Sequence, residues 1–197
     1  MRLKNSNTDY GLIAKWLHWL TALLFLAAYI SVYYRQWFTV EQTPANWTAL
    51  QLHLSFGVSI GVLVILRIIW VIINIKPAPE PGSNIEHFLA RIGHYALYAV
   101  MIILPITGYI GTSVDTEFFL LFNISKFEST QMYNLIVNDW LTMTFEEFEQ
   151  PIDFIHKNIF GAWLTWILIA GHVLAALYHH KVKKDRTVIK MTMTNRR

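Results

Sequence analysis

Apolar residues run through this chain in four long stretches, at about 11–34, 48–74, 86–112 and 152–180. Each is long enough to cross the ~30 Å hydrocarbon core of a bilayer, which takes about 20 residues at helical rise. None alternates with period two, so helices are predicted and a transmembrane β-barrel is not. The first stretch is too long for the apolar core of a signal peptide and is followed by no small-residue cleavage site, so it reads as an uncleaved span. With no internal repeat and no low-complexity segment, the expectation is an all-α membrane protein. It is a bundle of four transmembrane helices forming one domain over residues 1–197.

The polar connections differ in kind. Residues 35–47 form a short link. Residues 76–83, KPAPEPGS, form a Pro-rich link too short and stiff to be a domain. Residues 113–150 form the one sizeable extramembrane segment, and it is acidic, with Asp115, Glu117, Glu128, Asp139, Glu146, Glu147 and Glu149. Within it, Phe118–Phe122 and Met132–Trp140 are apolar enough to lie at the interface as short helices. Trp16, Trp19, Trp37, Trp47, Trp70, Trp140 and Tyr178 fall near span ends, where an aromatic belt sits.

Charge sets the orientation. Arg2, Lys4, Lys15, Lys76, Arg91 and the basic tail (Lys181, Lys183, Lys184, Arg186, Lys190, Arg196, Arg197) lie on one side, against Arg35, Lys126 and Lys157 on the other. The positive-inside rule therefore places both termini in the cytoplasm. A net charge of +3 requires no nucleic-acid partner, and the basic tail is expected to meet anionic lipid. The absence of cysteine excludes disulfides, thiolate metal sites, iron–sulfur clusters and haem attached through Cys-x-x-Cys-His. Any redox centre must rest on nitrogen, oxygen or Met sulfur.

Histidine supplies the candidate chemistry. His18, His53, His94 and His172 lie inside the apolar stretches and His156 at the mouth of the last. An imidazole is costly in hydrocarbon and marks a functional site there by default; it is also a common axial ligand of haem iron. At helical rise His18 and His172 are each roughly 10–12 Å in from the inner face, hence level. His53 and His156 both lie within about five residues of the outer face, hence also level. Two bis-imidazole sites follow, with the fourth helix serving both. Small residues that let a flat macrocycle approach the backbone stand near: Ala14 and Ala22 around His18, Ala175 and Ala176 after His172, and Gly57 and Gly61 after His53. His94 is at the inner level but has Tyr98 one turn on, which suits packing or a quinone-adjacent role better. Any one of these histidines alone is equally accounted for by an interhelical hydrogen bond, and Gly57-x-x-x-Gly61 by ordinary helix packing.

Arg67 shares the face of His53, offset by about 40° after fourteen residues. A buried arginine needs an anion, and no acidic residue lies within the four apolar cores. A haem propionate would serve, and snorkelling to the inner surface is the other reading. Pro105 is expected to kink the third span, with Thr107 and Gly108 packing around that kink.

Read this way, the chain resembles the bacterial cytochrome b561 family of small di-haem membrane proteins over nearly its whole length. The resemblance rests on Leu17-His18-Trp19-Leu20, on Leu52-His53-Leu54-Ser55-Phe56-Gly57, and above all on Gly171-His172-Val173-Leu174-Ala175-Ala176-Leu177-Tyr178-His179-His180 leading into the basic tail. It implies two b haems, one held by His18 and His172 near the inner face and one by His53 and His156 near the outer face. It also implies exchange of electrons with ubiquinone in a bacterial inner membrane, and in some relatives oxidation of superoxide. One departure stands out. Relatives in the dehydrogenase branch space the two fourth-helix ligands fourteen residues apart, on one face. Here His156 and His172 are sixteen apart, about 160° out of phase on an ideal helix. Three solutions are open: His156 precedes the regular helix, a π-bulge near Gly161 corrects the phase, or the outer haem is absent.

The function expected is that of a di-haem cytochrome that carries electrons within the inner membrane to or from ubiquinone, with superoxide as one candidate donor. Superoxide would need positive charge on the acidic outer face, which points to Lys157, beside His156, and to Arg35. The alternative is a membrane anchor and electron conduit for a separate dehydrogenase or hydrogenase partner; a haem-free transporter with histidine proton relays is the third reading.

Overall fold

The structure, a computed structural model, describes residues 2–193, so the Arg196 and Arg197 of the basic tail lie outside the described residues. Four helices are long and apolar enough to cross a membrane: α1 (Leu12–Phe38), α2 (Pro44–Ile73), α3 (Asn84–Ile110) and a fourth membrane helix (Phe145–Lys183). Their starts are written in local chemistry. The Thr43 hydroxyl accepts from the Asn46 N–H ahead of Pro44 at the start of α2, where the fixed proline φ and missing N–H cost nothing. Ser83 and Glu86 form a capping box at α3, and Thr144 and Glu147 another at the fourth helix. That second box starts the fourth helix before the apolar stretch begins, with Pro151 inside it.

The core among the spans is small: Ala28 from α1, Ile60 and Val64 from α2 and Met101 from α3, flanked by Leu24, Phe25, Phe56, Ile68 and Tyr98. Gly61 lets α2 approach α3 at its proline, since a Cβ there would stand 3.4 Å from the Pro105 Cβ. At Gly57 an added Cβ would meet nothing within 4 Å. Of the two glycines of the motif, Gly61 is therefore the one that helix packing requires.

Between α3 and the fourth helix the chain builds an outer cap. Phe118–Phe122 is not a helix: Thr116–Phe118 (β1) and Phe122–Ile124 (β2) pair antiparallel, with Phe118 opposite Phe122. The residues between them turn through the left-handed region at Phe119 (φ 46°) and Leu120 (φ 61°), a conformation rare for side chains of this size. Partners from α2 hold the turn in place. Ser55 Oγ accepts from the Phe119 N–H (2.9 Å). The fully buried Gln51 accepts from the Glu117 N–H (2.7 Å) and donates to the Asp115 carbonyl (3.1 Å). Met132–Trp140 is helical as expected, an α turn at Gln131–Tyr133 running into a π-helical Asn134–Trp140. Its Tyr133 and Val137 pack with Phe127 into a second apolar cluster.

At the inner end the tail folds back instead of lying free. A short helix, Thr187–Met191, returns beneath the bundle. Arg186 pairs with Asp9, Lys183 with Glu86 and Lys190 with Glu80, and the indole of Trp19 donates to the Met191 carbonyl (2.8 Å). Three of the basic tail's charges, those of Lys183, Arg186 and Lys190, are thus met by carboxylates within the protein.

Candidate functional site

The fourth helix carries its phase correction within itself. Residues Ile155–Leu164 form a ten-residue π-helix that contains both His156 and Gly161 and continues into α-helix at Thr165. A turn closed by i→i+5 bonds advances roughly 82° per residue, against about 100° in an α-helix. Eight steps of each kind carry the chain from His156 to His172 and bring the two within roughly 20° in azimuth. Of the three solutions to the sixteen-residue spacing, the π insertion is the one observed.

The histidines expected to be level are brought together. The rings of His18 and His172 have centroids 6.1 Å apart, and those of His53 and His156 6.3 Å apart. An imidazole nitrogen sits about 2.0–2.1 Å from a metal it ligates, so two imidazoles on opposite sides of one ion have centroids roughly 6.3 Å apart. Both pairs match that separation. Among the described residues no group of three or more His, Asp or Glu is arranged to hold a metal ion, so a metal at either pair would take two imidazoles from the protein.

Hydrogen bonds decide which ring nitrogen each histidine has to offer. His53 Nδ1–H donates to the Ala28 carbonyl (3.0 Å). His156 Nδ1 lies 3.0 Å from the Thr107 hydroxyl, which itself donates to the Ile103 carbonyl (2.7 Å) and so presents a lone pair to the ring. In both rings this leaves Nε2 with its lone pair, the arrangement that outer partners impose on metal-binding histidines. Gly108 lies against the same ring, where a Cβ would come within 3.0 Å of His156 Cε1. Thr107 and Gly108, expected to pack around Pro105, therefore seat His156. A threonine and a glycine one turn from a histidine in another span carry no sequence signal of that contact.

At the inner pair the surroundings differ. Arg67 Nη2 lies 3.2 Å from His18 Nδ1, and its Nε donates to the Tyr98 hydroxyl (3.0 Å), with the guanidinium 5.3 Å from that ring's centroid. Arg67 is thus turned into the bundle; it does not snorkel to the inner surface. Just before α1, burial, and after it the nearby Tyr98, holds the Tyr10 hydroxyl above the usual tyrosine range, so it stays a neutral neighbour of this cluster. His94 comes closer than expected, its ring centroid 5.6 Å from that of His172, with Nδ1 donating to the Ala90 carbonyl one turn back.

On the outer face Lys157 does not present a free charge. It is paired with Asp153 one turn earlier, its side chain largely exposed. Arg35, half-buried, donates to the neutral Asn46 Oδ1 (3.1 Å) and keeps its charge uncompensated by any carboxylate within ion-pair distance among the described residues. A wall of aromatic rings lines the same half of the bundle. Tyr33 stacks on Trp37 (4.7 Å), Tyr29 packs on Trp166 (4.7 Å), and the Trp166 indole donates to the Tyr33 hydroxyl (2.9 Å).

A family model described as prokaryotic cytochrome b561 matches residues 9–193. The chain is 28% identical to cytochrome b561 homolog 2 of Escherichia coli (strain K12), over 97% of this chain and 95% of the relative. It is 28% identical to cytochrome b561 homolog 1 of the same organism, over 89% and 92%. It is also 28% identical to a Yersinia pestis protein named probable superoxide oxidase CybB, over 92% and 94%.

Proposed function

The chain belongs to the prokaryotic cytochrome b561 family, a multi-pass protein of the bacterial inner membrane that works in electron transfer, and from that premise we propose that it holds two b haems. His18 and His172 take one near the inner face, and His53 and His156 take the other near the outer face. The observation that carries this reading is the two imidazole pairs with centroids 6.1 and 6.3 Å apart. Bound haem supplies a one-electron carrier in a low-dielectric setting. The residues of the chain do the rest. Ala28 and Thr107 orient the outer imidazoles, Arg67 sets a positive charge beside His18, and the apolar spans exclude water.

Ubiquinone, an apolar carrier dissolved in the bilayer, is the acceptor we infer at the inner half, where His94, Arg67 and Tyr98 supply polar groups. Superoxide is the donor we infer at the outer half. The name of the Yersinia relative supports that reaction class, and Arg35 is the charge on this chain that would draw an anion toward His53.

The test is haem content of the purified chain. The wild type is expected to hold two haems per chain, and His53→Ala and His156→Ala one each, with the remaining haem still low-spin. A single haem in the wild type, or two retained in either variant, refutes the outer site.

A further inference from the structure

Helix α1 contributes no histidine to the outer pair, yet two consecutive residues of it touch both partners' supports. Ala28 turns its carbonyl to His53 Nδ1 (3.0 Å). The Tyr29 hydroxyl donates to the Gly161 carbonyl (2.9 Å), 132 residues away. That carbonyl is a particular one. Where a helix reverts from i→i−5 to i→i−4 bonding, one carbonyl is passed over and left without a backbone donor. The Thr165 N–H still reaches back to Phe160, and the next carbonyl, that of Gly161, is the one the tyrosine takes. A buried carbonyl without a partner in an apolar span is costly, so the hydroxyl stabilises the π form of this helix over the α form.

Gly161 is required on separate grounds. A Cβ at this position would stand 2.7 Å from the His156 carbonyl oxygen and 3.7 Å from its carbon. The atom met is backbone, which has no flexible end to move aside. Any side chain at 161 therefore displaces the peptide of His156 itself or breaks the wide turn that carries it.

We propose that Tyr29 and Gly161 are positioning residues for His156: the glycine permits the π segment, the tyrosine hydroxyl locks it, and together they set the azimuth at which His156 meets His53. One short stretch of α1, Ala28–Tyr29, then aligns both outer imidazoles, so the outer centre is assembled from all four membrane helices although two supply its histidines. The inner centre depends on neither residue, because His172 lies in the regular α-helical part of the fourth helix.

This inference rests on the two-haem reading, and the experiment separates the two. Full-length wild type, Tyr29→Phe, Gly161→Ala and a control, Tyr33→Phe, are purified in detergent. Haem per chain, the low-spin spectrum and the midpoint potentials of both centres are then measured. Gly161→Ala is expected to fall from two haems to one with the inner centre's spectrum and potential unchanged. Tyr29→Phe is expected to keep the inner centre intact while the outer centre shifts in potential and loses its single low-spin signature. Tyr33→Phe, which removes a hydroxyl from the same aromatic wall, leaves both centres as in the wild type. A wild type with two haems, together with a Tyr29→Phe variant whose outer potential and spectrum are unaltered, overturns the positioning role even if its melting temperature drops. The same holds if Gly161→Ala retains both haems with wild-type spectra. A wild type with fewer than two haems overturns the two-haem reading and this inference with it.

Discussion

Arg67 illustrates how a single residue gains meaning from its neighbours. Its position on the His53 face and the lack of acidic partners in the apolar cores predicted an anion to meet it, and a haem propionate remains compatible with its place at the inner level. What the structure adds is its contact with His18 Nδ1 and Tyr98. A fixed positive charge next to a redox centre favours the reduced form, which carries one positive charge fewer. Arg67→Gln is therefore expected to lower the midpoint potential of the inner haem while leaving the outer one in place; a potentiometric titration that finds the inner midpoint unchanged or raised refutes the assignment. Arg35 is the corresponding residue outside. With Lys157 paired to Asp153, Arg35→Gln is expected to slow haem reduction by superoxide and to flatten its dependence on salt, since steering of an anion is screened by ions. Lys157→Gln is expected to change neither. Stopped-flow rates at low and high ionic strength distinguish these outcomes, and equal rates for Arg35→Gln and the wild type at low salt would sink the steering idea.

At the scale of elements, the outer cap shows a hairpin where an interfacial helix was expected. Phe118–Phe122 is apolar enough for either, and its period does not separate them over so few residues. The decision came from α2, whose Gln51 and Ser55 offer a fully buried set of donors and acceptors to the backbone of β1 and the turn. These two residues bracket His53, so the cap is fastened to the helix on which the outer imidazole stands. Gln51→Ala leaves a backbone N–H and a carbonyl without partners. It is expected to cost about 1–3 kcal/mol of stability per unsatisfied group and to expose residues 116–124 to proteolysis. Limited digestion followed by mass mapping checks this; a cap as resistant as in the wild type would mean that Phe119 packing on Phe56 suffices to hold it.

For the whole molecule the ion pairs at the inner end matter most. Arg186–Asp9, Lys190–Glu80 and Lys183–Glu86 tie the tail to the amino end, to the Pro-rich link and to the start of α3. The Lys190–Glu80 pair is largely buried, and breaking such a pair from one side costs about 3–5 kcal/mol because the other charge is left behind. Glu80→Gln is expected to release the short tail helix, seen as faster amide exchange at Val188–Met191, without changing haem content. The same end of the molecule is where the positive-inside rule places the cytoplasm. A fluorescent-protein fusion to the carboxyl end is expected to be bright and an alkaline-phosphatase fusion inactive; the reverse pattern would invert the orientation and exchange the inner and outer centres.

The length and apolarity of the four spans, the absence of cysteine and the depth of each histidine were determined by the sequence alone. Hydrocarbon thickness and helical rise are constants against which position along the chain can be measured. The same arithmetic paired His18 with His172 and His53 with His156, and these are the pairs that meet. Three matters were decided only by tertiary structure. The ten-residue π segment has no signature in composition, because it arises from a glycine beside a carbonyl and a tyrosine reaching in from another helix. The hairpin was chosen by hydrogen-bond partners on α2. The charges of Lys157 and of three tail residues, Lys183, Arg186 and Lys190, were paired with carboxylates, that of Lys157 one turn away on the same helix and those of the tail in distant segments. Each depends on which side chains face one another across space, and spacing along one helix carries no information about what stands opposite it.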